Sequence, residues 1–518
     1  MDKTIAANLE GLSAEEQRAL LQKLLQEKKA KKPDKTAVLS FGQERLWFLH
    51  QLDSANAAYN LRTAVRLQGN LNLPALEASI QEVVNRHESL RTKIVAANGR
   101  PQQQIQQQMI APLPVTDLTD LQGDELETAV QQHTDAEAQA PFDLANGPLF
   151  RARLLKLQAN DHILLLTMHH IISDGWSIGI LIREIATLYQ TKVANQPSPL
   201  AKIPVQYADF ATWQREWLQG ETLEKQLAYW GEQLADTAVV DLPTDHPRPT
   251  VQTFAGARHY FTVAPDVASQ FHQLTHAENA TLFMGLLGAF NLLLHIYSRQ
   301  TDISVGTPVA GRNRNQLEST IGLFINTLVM RNQIDPQASF RDLLKQIRQT
   351  TLDAFAHQDV PFEKLVEELH PPRDPSRTPF FQHLFILQNA PMQSVKLPGV
   401  TLTPLQPNKA SSLFDLTLTM WDDDQGMRGY LEYNTDLFCD ETMARFVTHF
   451  QQLMRQIGQQ PDAPIAQLSA LSPAEKGKML TEWNATERPY PTHTHKKLKK
   501  KQVEKTPEGT AAPPATAT

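Results

Sequence analysis

The stretch LLLTMHHIISDGWSIGILIREIATLY (Leu164–Tyr189) changes period at its middle. Its first part is an apolar run of the length of one buried strand. Its last part sets Ile178, Leu181, Ile182, Ile185, Leu188 and Tyr189 on a single helical stripe. A strand running straight into a helix restricts the chain to a mixed fold, and the alternation recurs on both sides. LPALEASIQEVVNRHESLRT (Leu73–Thr92) predicts a helix with Leu76, Ile80, Val83 and Val84 on one face. LFRARLLKL (Leu149–Leu157) alternates as a strand, with Arg151 and Arg153 between apolar neighbours. Further on, TLFMGLLGAFNLLLHIYS, SFRDLLKQIRQTTLDAFAHQ and TMARFVTHFQQLMRQI read as helices. DISVGTPVAG, DLTLTMWDD and RGYLEYNTDLF read as strands. The expected class is α+β.

A chain of 518 residues exceeds one ordinary domain. Residues 1–36 stand apart as a short amphipathic helix and linker, a possible docking segment. It opens on a Ser13/Glu16 capping box, continues with Leu20, Leu21, Leu24 and Leu25, and stops at Pro33. The body divides near LPTDHPRPT (Leu242–Thr250), whose three prolines suit a crossing between lobes. The expected lobes are 37–240 and 241–471, with 472–518 a connector and a low-complexity, lysine-containing tail. A net charge of −7 argues against a nucleic-acid partner. No apolar run approaches the roughly 20 residues that span a bilayer, so no membrane partner is expected. The single cysteine, Cys439, allows no disulfide within the chain and suits a cytoplasmic protein. It reads as a buried apolar filler.

The period changes at His169, His170, Asp174 and Gly175. A strand ending at Met168 delivers these residues to a loop held by rigid elements, a usual place for reactive groups. Of these side chains, His170 exchanges a proton near neutral pH. Asp174 can fix the turn by an ion pair or by binding amides. Gly175 permits a tight turn and close approach of a substrate. The N-terminus of the following helix favours developing negative charge. A metal site needs both histidines on one ion, whereas neighbours in extended chain face opposite ways. Structural and catalytic readings of the pair stay open on these residues alone.

MHHIISDGWS resembles the HHxxxDG signature of condensation domains from nonribosomal peptide synthetases, part of a superfamily similar to chloramphenicol acetyltransferase. Six companions occur in the family's order: SFGQERLWFLHQLDSANAAYN, RHESLRT, YADFATWQREWL, IGLFINTLVMR, HQDVPFEKLVEEL and RDPSRTPFFQ. With the histidine motif they run from Ser40 to Gln382. The resemblance implies two acetyltransferase-like lobes in a V-shaped pseudo-dimer with a tunnel between them. It implies amide formation between a donor acyl thioester and an acceptor amine. Both are carried on phosphopantetheine arms of upstream and downstream carrier proteins, with no cofactor or metal held by the domain itself. The resemblance makes His170 the functional histidine of a catalytic set with His169, Asp174 and Gly175. Asp174 is then the partner of Arg312 in a structural ion pair. Trp176, Ser177 and Asn326 are substrate-binding candidates, Asn326 through a latch over the tunnel.

The paired histidines exclude the Asp-based signature of heterocyclisation domains. Epimerisation-type and non-catalytic carrier-binding homologues remain the alternatives. The aromatic residues of the first and fourth motifs read as packing, and His357 and Asp359 as helix-capping groups. MLTEWNATERPYP resembles the linker into an adenylation domain, which is expected downstream but absent from this chain. The donor-side motifs look most like the subtype that accepts a D-configured residue, and also like domains that follow polyketide modules.

Overall fold

The computed structural model describes residues 34–54, 57–97, 99–388, 397–405, 410–486 and Glu504. The Ser13/Glu16 capping box, its leucine stripe and the lysine-containing tail lie outside them. Residues up to Ala470 belong to one compact unit and those from Leu471 to a second.

Three sheets organise the first unit. The smallest joins β1 (Lys35–Val38), β4 (Arg100–Ile105) and β3 (Thr92–Ala97). A five-stranded sheet runs in the order β12 (Val400–Leu405), β2 (Asn60–Gly69), β7 (Asp161–His169), β6 (Phe150–Gln158), β5 (Val115–Asp117). A seven-stranded sheet runs β10 (Asn326–Gln333), β9 (Asp302–Val309), β11 (His383–Gln388), β14 (Leu416–Asp423), β15 (Gly426–Asn434), β8 (Ala255–Thr262), β13 (Ala410–Ser411). Both large sheets are mixed: β5 is parallel to β6 and β11 to β14, whereas β2 and β6 flank β7 antiparallel.

The apolar run of β7 is uninterrupted because both of its faces are covered. Leu164, Leu166 and Met168 enter a core shared with two helices, α2 (Leu73–Arg86) and α4 (Gly175–Val193). Ile163 and Leu165 enter a smaller cluster on the other face, beneath α3 (Gly123–Gln139). Each buried leucine contributes on the order of 1.5–3 kcal/mol. The largest core gathers around α8 (Leu282–Ser298), whose residues Met284–Leu294 are all buried, and α11 (Asp440–Gln459).

Two details depart from the sequence reading. The helix expected over Leu73–Thr92 ends at Arg86. Buried His87 leaves helical geometry and its Nε2 meets Glu184 of α4 at 2.9 Å, so the chain passes through a 3₁₀ turn into β3. The five-stranded sheet is also completed from the second half of the chain. β12 pairs antiparallel with β2, from Val400 opposite Gly69 to Leu405 opposite Ala64. Leu317, Ile321, Leu323 and Phe324 likewise enter the core of α2 and α4. Gly322 permits that entry, since a Cβ there would lie 2.0 Å from the Tyr207 ring.

Candidate active site

β7 ends at His169, a 3₁₀ turn covers His170–Ile172, and α4 begins at Gly175. Asp174 is the N-cap of α4, with extended backbone and its Oδ1 accepting the Ser177 amide at 2.9 Å. The His170 amide donates to the Tyr59 carbonyl at 2.8 Å, fixing the turn to the start of β2.

The two histidines have different surroundings. His169 is 3% exposed, and its Nδ1 accepts the Ile171 amide at 3.1 Å. Its ring meets Phe142 and His50 edge-on. Burial, reinforced by His170 and His50, lowers its pKa to about 3, so it stays neutral. His170 is half-buried, and its Nδ1 lies 2.8 Å from the Ser173 carbonyl. A carbonyl only accepts, so Nδ1 carries the proton and Nε2 the lone pair. Burial lowers the pKa of His170, Asp174 opposes that shift, and Arg45 adds to it. A neutral imidazole with Nε2 as its basic atom is a proton acceptor at pH 7.

Asp174 binds five donors. Its Oδ1 receives the Ser177 amide, the Ser177 hydroxyl at 2.7 Å and Arg312 Nη2 at 3.1 Å. Its Oδ2 receives Arg312 Nη1 at 2.7 Å and the Phe324 amide at 3.0 Å. Arg312 also donates to the Thr320 carbonyl and stands 4.3 Å from the Phe324 ring centroid. The carboxylate thus binds the histidine turn to residues 310–324 and leaves no route for a substrate to reach Asp174.

Three of the named residues have the following surroundings at this turn. Ser177, a candidate for touching substrate, has no exposed surface. Its hydroxyl donates to Asp174 and accepts the Gly322 amide at 3.1 Å, which makes it part of the brace. Trp176 donates its indole N–H to the Glu318 carbonyl at 3.1 Å and likewise ties α4 to the second half. Gly175 is needed neither for a left-handed backbone nor for packing, as a Cβ there would meet nothing within 4 Å. The space before it is open, which keeps an approach to the turn. The helix end itself is already occupied by the Asp174 carboxylate.

Asn326 belongs to another cluster. Its amide donates to the Gln358 and Val360 carbonyls, both at 2.8 Å, and accepts the Phe362 amide at 2.9 Å. It clips β10 to α10 (Phe362–Leu369), and the strand that crosses to the other sheet is β12. His357 caps α9 (Phe340–Ala356), whereas Asp359 accepts from Gln226 and Asn313 instead of capping. Cys439 is half-buried, not a core filler. It caps α11, with Sγ 3.4 Å from His246 Nε2. Among the described residues no three His, Cys, Asp or Glu side chains converge as metal ligands. No single described helix is long and apolar enough to cross a membrane.

Residues 34–480 match the family model described as Condensation domain, and the chain belongs to that family. It is 46% identical over 479 residues to one of the proteins that make up linear gramicidin synthase of Brevibacillus parabrevis, covering 92% of this chain and 6% of that protein. A second protein of the same synthase is 45% identical over 456 residues, covering 88% and 9%. The chain therefore spans about a tenth or less of the length of these relatives. A four-domain nonribosomal peptide synthetase, solved with AMP and glycine, superposes with a TM-score of 0.80 at 26% identity. The match covers 92% of this chain and 37% of that one.

Proposed function

We propose that this chain joins a donor acyl thioester to an acceptor amine, forming an amide in nonribosomal peptide or hybrid polyketide–peptide assembly. Upstream and downstream carrier proteins deliver both substrates on phosphopantetheine arms, through a tunnel between two lobes. The observation that carries this reading is the state of His170: Nδ1 donates to the Ser173 carbonyl, Nε2 is left basic, and burial keeps the ring neutral.

The amine nitrogen attacks the thioester carbonyl carbon, and the C–N bond forms as the carbonyl π pair moves to oxygen. His170 Nε2 takes the proton released from nitrogen. The oxyanion then collapses, the C–S bond breaks, and the proton passes from His170 to the leaving thiolate. The thioester is already activated, so holding two tethered reactants together supplies much of the rate. The proton transfer adds on the order of 10²–10⁴-fold. In this reading His169 and Asp174 hold the turn and Gly175 leaves the approach clear.

The test is amide formation between two loaded carrier proteins, followed by mass spectrometry. His170→Ala is expected to lower kcat by about 10²–10⁴-fold. His170→Asn, which keeps a hydrogen-bond acceptor but no base, is expected to lose as much. Retained activity in His170→Asn would mean that the ring only positions the amine. No product from the unaltered protein with any donor would overturn the reading.

A further inference from the structure

A cavity of about 240 Å³ opens where α1 (Phe41–Leu52) and α5 (Tyr207–Trp217) meet residues 311–326 and 358–363. None of residues 169–177 lines it, so it is separate from the histidine turn. It is smaller than the roughly 300–1,000 Å³ of drug-sized sites and in scale with a single amino acid. Its wall on α5 is aromatic. Phe210, Trp213 and Trp217 recur at helical spacing, and the two indoles stack with centroids 5.1 Å apart and planes 17° apart. Both are half-buried, and among the described residues neither indole N–H has an acceptor. Trp176 and Trp230, by contrast, donate theirs to the Glu318 and His357 carbonyls. A buried indole N–H usually finds a partner, so two left open side by side are available to a ligand.

Opposite charges share this cavity without pairing. The Arg314 guanidinium lies 4.4 Å from the Trp213 ring centroid and, among the described residues, makes no hydrogen bond or ion pair. The Asp359 carboxylate accepts, among the described residues, only from neutral amides, Gln226 at 3.2 Å and Asn313 at 3.4 Å. Asn313 precedes Arg314 in the chain, and both line the cavity with Asp359, so the cation and the anion are held near one another. A further charge at the rim, Glu363, is already taken by Arg45 of α1 at 2.7 Å.

These features select a ligand class. An anion alone meets Asp359, and a cation alone meets Arg314. A wholly apolar molecule leaves both charges and both indole donors without partners. A zwitterion satisfies them together: its carboxylate accepts guanidinium or indole N–H groups, and its ammonium donates to the Asp359 carboxylate. An apolar side chain on the same molecule then lies against the indoles.

We propose that this cavity binds a free α-amino acid with an apolar or aromatic side chain, its carboxylate toward Arg314 and its ammonium toward Asp359. The inference goes beyond amide formation: no carrier, thioester or proton transfer at His170 enters it.

Calorimetry on the full chain tests it, with L-phenylalanine, L-leucine and the N-acetyl and amide forms of each as probes. Saturable binding of at least one free amino acid is expected. Its blocked forms, each lacking one charge, are expected to bind about tenfold or more weakly, the scale of a lost hydrogen bond to a charged group. Arg314→Gln is expected to weaken the free amino acid by about tenfold and to erase its advantage over the amide form. Asp359→Asn is expected to weaken it by about as much and to erase its advantage over the N-acetyl form. Urea unfolding confirms that each variant folds. His170→Ala is expected to bind the amino acid as the unaltered protein does, because the cavity is separate from the histidine turn. The proposal is overturned if neither free amino acid binds saturably, if a blocked form binds as well as its parent, or if folded Arg314→Gln and Asp359→Asn bind unchanged. Loss of binding in folded His170→Ala also overturns it, by placing the amino acid at the histidine turn. None of these readouts needs turnover, so a failure of amide formation leaves the result at the cavity standing.

Discussion

Two arginine–carboxylate pairs on different elements of the fold have contrasting surroundings. In Asp174–Arg312 the side chains are 1% and 2% exposed, and the carboxylate has five donors from three separate parts of the chain. In Arg258–Glu432 they are 23% and 12% exposed, and the two residues lie opposite one another on neighbouring strands. The first pair joins the histidine turn to residues 310–324 through both Nη atoms of Arg312, while its buried Nε has no hydrogen-bond partner among the described residues. The second closes between β8 and β15, with Arg258 Nε donating to Glu432 Oε2 at 2.9 Å. A buried carboxylate with five donors from three parts of the chain makes a brace, whereas a partly exposed cross-strand pair ties only two neighbouring strands.

The largest effect is therefore expected at the brace. Asp174→Ala or Arg312→Ala leaves an uncompensated buried charge, with an expected loss of about 3–5 kcal/mol. Removing both is expected to cost less than the sum, because each single variant includes the penalty of stranding its partner. Urea unfolding of the two variants and the double checks this. Asp174→Ala unfolding no earlier than Glu432→Ala would erase the distinction.

Both ends of this brace are named from the sequence, Asp174 by local signals and Arg312 only through the family resemblance, and the structure pairs them at 2.7 Å. Asp174 and Gly175 mark the strand-to-helix junction because a period change and a capping residue are local signals. Asp174's other partners are not local: the Phe324 amide is a backbone group 150 residues away and has no side-chain signature. Ser177 misleads for the same reason. Its position after the signature suggests a substrate contact, but its hydroxyl meets Gly322, whose approach depends on the absent Cβ beside Tyr207. β12 escapes a reading of the sequence because strands pair by register across the fold, and the short alternation of VTLT does not say which sheet it joins. His50 lies inside the first quoted motif, but its place beside the histidine turn shows only in its edge contact with His169.

A smaller effect separates His169 from both ion pairs. Its pKa of about 3 lies far below the roughly 6.5 of an unfolded histidine. As pH falls through 6.5 the unfolded chain takes up a proton that folded His169 does not. Stability is therefore full above about pH 6.5 and falls with acidification, by up to about 1.4 kcal/mol per pH unit from this group. His169→Asn is expected to flatten the dependence of unfolding free energy on pH between about pH 6 and 5 by up to that amount. His383, lowered by burial to about 4, acts in the same window in both proteins and so leaves the difference intact. An unchanged slope would mean that His169 takes a proton in the folded state, at odds with its buried acceptor contact to Ile171.

The smallest effect is expected at the open pair, and its sign differs from that of the brace. Burial raises the pKa of Glu432 above its ordinary value, with Arg258 and Arg62 pulling it down. A carboxylate whose folded pKa is raised favours folding below its unfolded pKa and opposes it as pH rises through the folded one. At neutral pH the ionised group is therefore a cost, and Glu432→Gln removes it while retaining an oxygen for Arg258. The lost ion pair offsets that gain, leaving a net change of about 1 kcal/mol or less. Stability measured across pH is expected to show Glu432→Gln gaining on the unaltered protein as pH rises. If Glu432→Gln instead costs about 3 kcal/mol, as a broken buried pair does, then Arg258 and Glu432 are a second brace. The Arg258 guanidinium would then be as fully committed to the fold as Arg312 is to Asp174.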